Sequence, residues 1–332
     1  MSGTFRAVVF PAANRAELRE LPLRDPGPGE VEARITVSGV SIGTEYLVLS
    51  GQFPNQKFPC LVGYQSVGIV ERVGEGVTAL KAGDRIFVGS VAPPEGYHEG
   101  AGVAHVSRAI IPAAPGGTLH PGPIVIPPHV SDDAAAYIVL VGVALEGEQM
   151  AKVGRGDLVA VVGQGIVGQL VAQVCKSRGA IVYVSDLDPK RVELAAELGA
   201  DRAFALDVPA FDKEIRAVQS KGADIVFDTT GNTKVLEQAL LLARNYGTFV
   251  VQGHYPGSLV FRFVHAHWRH LTMVFPCGGA NRWDAMHALD RGQVRVDPLI
   301  RQRVRPEGAP ALYGKIAARS SEILGATIRW SD

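Results

Sequence analysis

Residues 158–188 read LVAVVGQGIVGQLVAQVCKSRGAIVYVSDLD. A short apolar run, Leu158 to Val162, leads into Gly163-Gln164-Gly165-Ile166-Val167-Gly168. An amphipathic run from Gln169 to Arg178 follows, and a second apolar run from Ile181 to Ser185 ends on Asp186. The period changes from strand to helix and back, which predicts strand, tight turn, helix, strand. Gly163 suits the turn, Gly165 lets the backbone approach a pyrophosphate, and Gly168 lets helix and strand pack closely. The helix N-terminus, opening with Ile166 and Val167, then faces the anion. Asp186 follows Gly165 by 21 positions. A carboxylate there accepts hydrogen bonds from both hydroxyls of an adenosine ribose and repels a 2′-phosphate. The stretch predicts a dinucleotide site that prefers NAD(H) to the 2′-phosphorylated form. The bland alternative is a glycine-rich turn in a βαβ unit that binds nothing.

The chain has 332 residues, more than one core usually organises, which predicts two domains. Lys plus Arg equals Asp plus Glu at 33 each, so no basic excess calls for nucleic acid or an anionic membrane. No apolar run approaches the ~20 residues of a membrane span. The opening MSGTFRAVVF lacks the basic head and apolar core of a signal peptide, and a cytoplasmic location is expected. Cys60, Cys175 and Cys277 lie far apart with no CxxC spacing. Buried free thiols are expected rather than a thiolate metal site or a disulfide framework.

Upstream of the opening stretch, strands are expected at 6–10, 17–21, 31–38, 61–71 and 85–88, with turn residues between them. The loop Gly39-Val40-Ser41-Ile42-Gly43-Thr44-Glu45 enters a short helix around 46–49. The span 90–128, with Pro115-Gly116-Gly117 inside it, is the least regular, with a strand expected within 103–111. This half predicts a barrel-like antiparallel domain. Ser131 is an N-cap signal for helix running on to Met150. After Asp186, helices are expected at 189–198, 208–221, 234–243 and 282–291, and strands at 203–205, 224–228, 248–252, 259–264 and 271–275. That alternation predicts an α/β fold, a doubly wound parallel sheet. Ligands bind at the carboxyl ends of such strands, so Thr229, Thr230, Gly231, Gly253 and His254 are expected at the cofactor. Strands at 300–304 and 326–330 are expected to return to the first domain. The expected boundaries are 1–128, 129–285 and 286–332.

A β-rich front, a Rossmann middle and a return segment resemble the medium-chain dehydrogenase/reductase superfamily over essentially the whole chain. Gly63, Gly68, Gly74 and Gly83-Asp84 resemble its signature. The resemblance implies a GroES-like catalytic domain, a Rossmann domain and nicotinamide-dependent hydride transfer. In zinc-dependent members the signature begins Gly-His-Glu, and the His binds the metal; here it reads Gly63-Tyr64-Gln65. The loop that carries their first ligand, a Cys, has Ser41 or Ile42. Their third, Cys or Glu, is absent around 138–144, and their four-cysteine lobe is absent too. Phenol, amide and hydroxyl replace imidazole and thiolate poorly around Zn²⁺, so no metal is expected. The loop ending Gly43-Thr44-Glu45 resembles the branch of bacteriochlorophyllide hydroxyethyl dehydrogenases, a short match that fixes no substrate.

Without zinc, hydride transfer needs an activated substrate or protein donors to polarise it. The expected reaction interconverts an activated secondary alcohol and its ketone. The alternatives are reduction of a conjugated C=C or C=N bond, and a non-catalytic NAD(H)-binding protein. Tyr64, in the place of a zinc ligand, is a proton donor or a packing residue. Thr44 contacts substrate or caps a helix. Glu45 is a general base or, more blandly, braces its loop. Gln65 is a supporting hydrogen-bonder, and Glu146 could reach the same pocket. His254 relays a proton or touches cofactor. Arg191 matches the family's basic residue beside the adenosine ribose, or is an exposed helix charge. His265, His267 and His270 read as a solvated or packing cluster, and His98 and His105 as surface residues. The expected partners are a small-molecule substrate and a second copy of the chain, paired along an edge strand at 271–275.

Overall fold

The computed structural model describes residues 3–114, 122–255, 257–278 and 282–331, so Pro115, Gly116 and Gly117 lie outside the described residues. The chain divides into two compact units, residues 1–139 with 296–332, and residues 140–295. In chain order the first holds β1 (Thr4–Ala12), β2 (Arg15–Pro22), β3 (Glu30–Val40), α1 (Ile42–Leu49), β4 (Cys60–Val62), β5 (Ser66–Val73), β6 (Arg85–Phe87), β7 (His98–Gly100), β8 (Arg108–Pro112), β9 (Ile124–Val125) and α2 (Asp132–Ala135). Helix α3 (Ile138–Ala151) runs through the boundary. The second unit continues with β10 (Leu158–Val162), α4 (Ile166–Ser177), β11 (Ile181–Ser185), α5 (Pro189–Glu197), β12 (Arg202–Phe204), α6 (Val208–Val218), β13 (Ala223–Asp228), α7 (Leu236–Leu240), β14 (Ala243–Val251), α8 (Phe263–His267), β15 (Thr272–Val274) and α9 (Arg282–Asp290). The tail adds β16 (Ile300–Val304), α10 (Ala309–Ala317) and β17 (Gly325–Arg329).

The first unit is β-rich, as expected. One sheet is ordered β2-β1-β4-β7, and another β16-β17-β3-β5-β6-β9 with β8 also paired to β3. Most pairs are antiparallel, but β4–β7 and β16–β17 are parallel. The tail returns here because Ile328 and Ala326 alternate into the same core as Ile35, Ile86 and Tyr313. Tyr313 meets Phe10 edge-on, with ring centroids 4.8 Å apart.

The second unit is a parallel sheet ordered β12-β11-β10-β13-β14-β15, the doubly wound order with the two halves joined at β10 and β13. Strand β10 is buried along its whole length, which is why it is a continuous apolar run instead of an alternating one. Asp188 and Asp207 cap α5 and α6 through the Lys190 and Ala210 N–H groups. Gly168 is required by packing. A Cβ there would lie 2.0 Å from the Gly163 carbonyl oxygen and 2.7 Å from Thr229 Oγ1.

The domain boundaries move from 128/129 and 285/286 to 139/140 and 295/296. Ser131 does cap α2, but Asp133 then pairs with Arg303 and Arg329, and Tyr137 donates to the Val40 and Ala326 carbonyls. These contacts hold 129–139 in the first unit. Arg295 exchanges two hydrogen bonds with Gln173, which holds the end of the 286–295 segment in the second. The strand expected at 259–264 is not formed. Helix α8 begins there instead, with the Arg262 N–H on Glu237 Oε1 and Phe263 stacked on His267 at 4.6 Å, a one-turn helical contact. The helix expected at 234–243 is confined to α7. Cys60 and Cys175 are buried, whereas Cys277 is exposed. Among the described residues no helix is long and apolar enough to cross a membrane.

Candidate functional site

In the second unit, the turn after β10 and the loops after β11, β12 and β13 enclose a cavity of about 410 Å³. Gly163, Gly165, Asp186, Arg191, Thr229 and Thr230 are on its wall. Gly165 precedes α4, and no side chain among the described residues caps that helix. A Cβ at Gly165 would meet no protein atom within 4 Å, so nothing in the protein itself requires the glycine. An open glycine before an uncapped helix N-terminus suits a close-approaching anion, and these residues fit a dinucleotide. Asp186 Oδ2 accepts the Gln164 N–H at 2.6 Å and Oδ1 the Asp188 N–H at 2.9 Å. Each oxygen keeps a lone pair for a ribose hydroxyl. Arg191 Nε lies 3.7 Å from Asp188 Oδ2.

Thr229 ties the second half of the sheet to the turn, its hydroxyl donating to the Gly163 carbonyl at 2.8 Å. Thr230 donates through N–H and hydroxyl to Asp228 Oδ1 at 3.0 and 2.7 Å. Asp228 is fully buried, and its carboxyl pKa is raised by that burial. Gly231 and Gly253 bring the β13 and β14 loops together, since a Cβ on Gly253 would sit 2.6 Å from the Gly231 nitrogen. His254 is exposed just beyond, its pKa lowered by partial burial of the ring. Ile166, Val167, Gly168, Gly231, Gly253 and His254 are not on the cavity wall; Ile166 and Gly168 pack inward instead. The wall also includes Leu206, Asp207, Pro209 and Gln238, which the sequence reading missed. Their signal was position: 206–209 follow the carboxyl end of β12.

In the first unit, the expected catalytic residues gather around the start of α1. Tyr64 is half-buried, beside the Ser41 and Thr44 hydroxyls. Burial, opposed by the two hydroxyls and reinforced by the Glu45 charge, pushes the phenol up to about 12. The helix N-cap is Ser41, so Thr44 is not the cap. Glu45 is not an accessible general base. It is fully buried, accepts the Ser41 N–H at 2.8 Å, and also receives the Tyr313 hydroxyl. Its third partner is His105 Nε2 at 3.0 Å.

His105 is thus a core residue, 1% exposed, and not a surface one. Its Nδ1 lies 2.8 Å from Ser38 Oγ, which accepts the Trp330 indole N–H at 2.9 Å. An indole only donates, so Ser38 Oγ accepts from Trp330, and the imidazole bridges Ser38 to the Glu45 carboxyl. Gly63, at φ +92°, passes directly over this ring; a Cβ there would lie 2.8 Å from it. Gln65 is fully buried with neither side-chain atom partnered among the described residues. Glu146 instead accepts the Gly278 N–H within the second unit. His265 lies 2.8 Å from Glu237, and His267 and His270 stack on Phe263 and Tyr246. Among the described residues no three His, Cys, Asp or Glu side chains converge as a metal would require.

Two family profiles match the chain: "Alcohol dehydrogenase GroES-like domain" over residues 27–118 and "Zinc-binding dehydrogenase" over residues 167–291. The (R,R)-butanediol dehydrogenase of Bacillus subtilis (strain 168) is 30% identical over 251 residues, 68% of this chain and 71% of that protein. The chain belongs to the medium-chain dehydrogenase/reductase superfamily. An alcohol dehydrogenase of Cupriavidus necator (strain H16) is 25% identical over 368 aligned positions, 99% of this chain and 100% of that protein. The solved alcohol dehydrogenase of Escherichia coli CFT073, complexed with NADH, shares the fold at TM-score 0.83 and 21% identity, covering 98% of this chain and 100% of that one. Within this medium-chain dehydrogenase the residues in the metal-binding positions do not fit zinc. The loop offers Ser41 or Ile42, a hydroxyl or no donor at all, and the Tyr64 phenol, pushed up to about 12, stays protonated where a ligand must lose its proton. The Cys60 thiol, on β4, is pushed up to about 12 by burial.

Proposed function

We propose that this medium-chain dehydrogenase is an NAD(H)-dependent oxidoreductase that interconverts an activated secondary alcohol and its ketone without catalytic zinc. The observation that carries the reading is the Tyr64 phenol. In the Gly63-Tyr64-Gln65 motif it takes the place of a zinc-ligand histidine, and burial, with the Glu45 charge, keeps it protonated. Gly163, Gly165, Thr229 and Thr230 would hold the pyrophosphate and nicotinamide half of the cofactor, and Asp186 the adenosine ribose. Bound there, the dinucleotide supplies or takes up a hydride at the substrate carbon. Tyr64 gives a proton to the carbonyl oxygen on reduction and receives it on oxidation, work that a Lewis acid performs in zinc-dependent members. The Asp186 carboxylate supports NAD(H), because a 2′-phosphate would meet its negative charge. The NADH complex of the Escherichia coli relative and the names of the other relatives agree with the reaction class.

Single-turnover oxidation of NADH against activated ketones, enones and imines tests the reading. The ketones are expected to react, and NADH to bind at least about tenfold tighter than NADPH. Consumption only with enones or imines would shift the assignment to C=C or C=N reduction. Tight NADH binding with no consumption would leave a non-catalytic binding protein. One zinc per chain by elemental analysis would remove the metal-free part of the proposal. We also propose a homodimer, since β15 is the open edge of the parallel sheet and Phe275 beside it is exposed.

A further inference from the structure

We propose that Asp228 is a positioning residue for the nicotinamide half of the dinucleotide, its buried carboxyl clamping the 229–231 loop between the turn at Gly163 and the loop after β14. The inference rests on the dinucleotide reading of the cavity. Asp228 ends β13, in register with Val162 at the end of β10 on one side and with Val251 of β14 on the other. It stands where the two halves of the sheet meet. Its main-chain and side-chain oxygens serve different neighbours. The main-chain oxygen accepts the Gln252 and Gly253 N–H groups, both at 2.9 Å, and the Tyr255 hydroxyl at 3.3 Å. The side chain turns back on its own loop, where Oδ1 accepts the Thr230 N–H at 3.0 Å and the Thr230 hydroxyl at 2.7 Å.

Thr230 passes the constraint on. Its hydroxyl oxygen accepts the Asn232 N–H at 3.1 Å, and Asn232 Oδ1 accepts the Lys234 N–H at 3.0 Å, so each acceptor holds the amide two residues ahead. Thr230 also packs on the turn after β10, since a Cβ at Gly163 would lie 3.1 Å from its Cγ2. One residue on, a Cβ at Gly231 would lie 2.8 Å from the His254 carbonyl oxygen. A displaced Thr230 therefore disturbs the contacts at Gly163 and at Gly253 together. Asp228 Oδ2 is buried with no partner among the described residues. An unpaired buried oxygen is a stability penalty that an apolar residue would avoid. What the carboxyl contributes against it is the acceptor at Oδ1, on which the Thr230 pair depends. The adenosine end of the cavity is built separately, with Asp186 held by the Gln164 and Asp188 N–H groups. Loosening Thr230 thus acts on the nicotinamide half and spares an adenosine phosphate.

Calorimetric titration of the full-length protein with NADH and with AMP tests this. Asp228→Ala is expected to weaken NADH binding about tenfold and AMP binding by no more than about twofold. Asp228→Asn, which keeps the Oδ1 acceptor, is expected to bind NADH within about twofold of the parent. Equal losses for NADH and AMP in Asp228→Ala would make the carboxyl a general prop of the fold and overturn the proposal, and so would no loss for either. Asp228→Asn as weak as Asp228→Ala also overturns it, because charge and not the Thr230 pair would then be the cause. If Asp228→Ala lacks a native circular dichroism spectrum, Thr230→Val removes the hydroxyl from the same pair at similar volume. NADH binding about threefold weaker with AMP unchanged is then expected, and unchanged NADH binding overturns the proposal. A parent that binds neither ligand would remove the dinucleotide reading itself, whereas a parent that binds both isolates the result on Asp228.

Discussion

Two glutamine and tyrosine neighbours, Tyr64 and Gln65, carry the sharpest residue-scale consequences. If the phenol transfers the substrate proton, Tyr64→Phe lowers kcat for ketone reduction by about 10²–10⁴ and leaves KM within a few-fold, because binding does not use the transferred proton. Steady-state kinetics at neutral pH reads both numbers. Gln65 is a different case. Its amide is buried with neither atom partnered among the described residues, and an unmet buried polar group costs about 1–3 kcal/mol. Gln65→Met, similar in volume and without that penalty, is expected to match or exceed the parent in urea stability, read from the unfolding midpoint. A clear loss of stability would mean that the amide is satisfied in solution, for example by buried water.

At the scale of elements, the β10–α4 turn is the tightest junction in the chain. Gly168→Ala puts a methyl group 2.0 Å from the Gly163 carbonyl oxygen, a backbone atom that cannot rotate away. The helix must lift, at a cost of about 1–3 kcal/mol, and NADH binding weakens with it. Thermal unfolding and NADH titration check the two effects together. The β2–β3 connection supplies a pH dependence. Arg24 grips Glu30 with two hydrogen bonds, at 2.5 and 2.7 Å, and the Gly27 N–H adds a third at 2.8 Å. The guanidinium, against partial burial and with help from Gly27, lowers the Glu30 carboxyl to about 2 from its ordinary 4.5. A depressed carboxyl pKa stabilises the fold above the ordinary value and loses that contribution as pH falls toward 2. Arg24 is largely exposed, so the pair contributes no more than about 1 kcal/mol. Glu30→Gln is thus expected to lower urea stability at about pH 7, with the deficit shrinking steadily below about pH 4.5.

For the whole molecule, the test concerns the open edge of the parallel sheet. Among the described residues, 272–274 form its last strand and pair with β14 alone. Val274→Pro removes an edge N–H without touching the cofactor cavity, whose wall lies on other strands. Light scattering is expected to show a dimer for the parent and a monomer for the variant, with NADH binding retained. A parent that runs as a monomer at micromolar concentration would remove the homodimer from the proposal. The same scale explains the shifted domain boundaries. Residues 129–139 look like the entry to the dinucleotide unit, yet Asp133 and Tyr137 bind partners near the chain's end.

The sequence by itself determined the parts whose physics is local. Strand period, helix period, the glycines of residues 163–168, the acid at Asp186 and the cap at Ser131 are all satisfied by near neighbours. Only the tertiary structure decided which polar groups meet. Glu45 finds His105 sixty positions away and Tyr313 a further 208 beyond it, and Ser38 finds Trp330 near the end of the chain. No periodicity records such pairings. They form because burying a carboxylate and an imidazole is affordable only where donors from distant strands and helices converge on them.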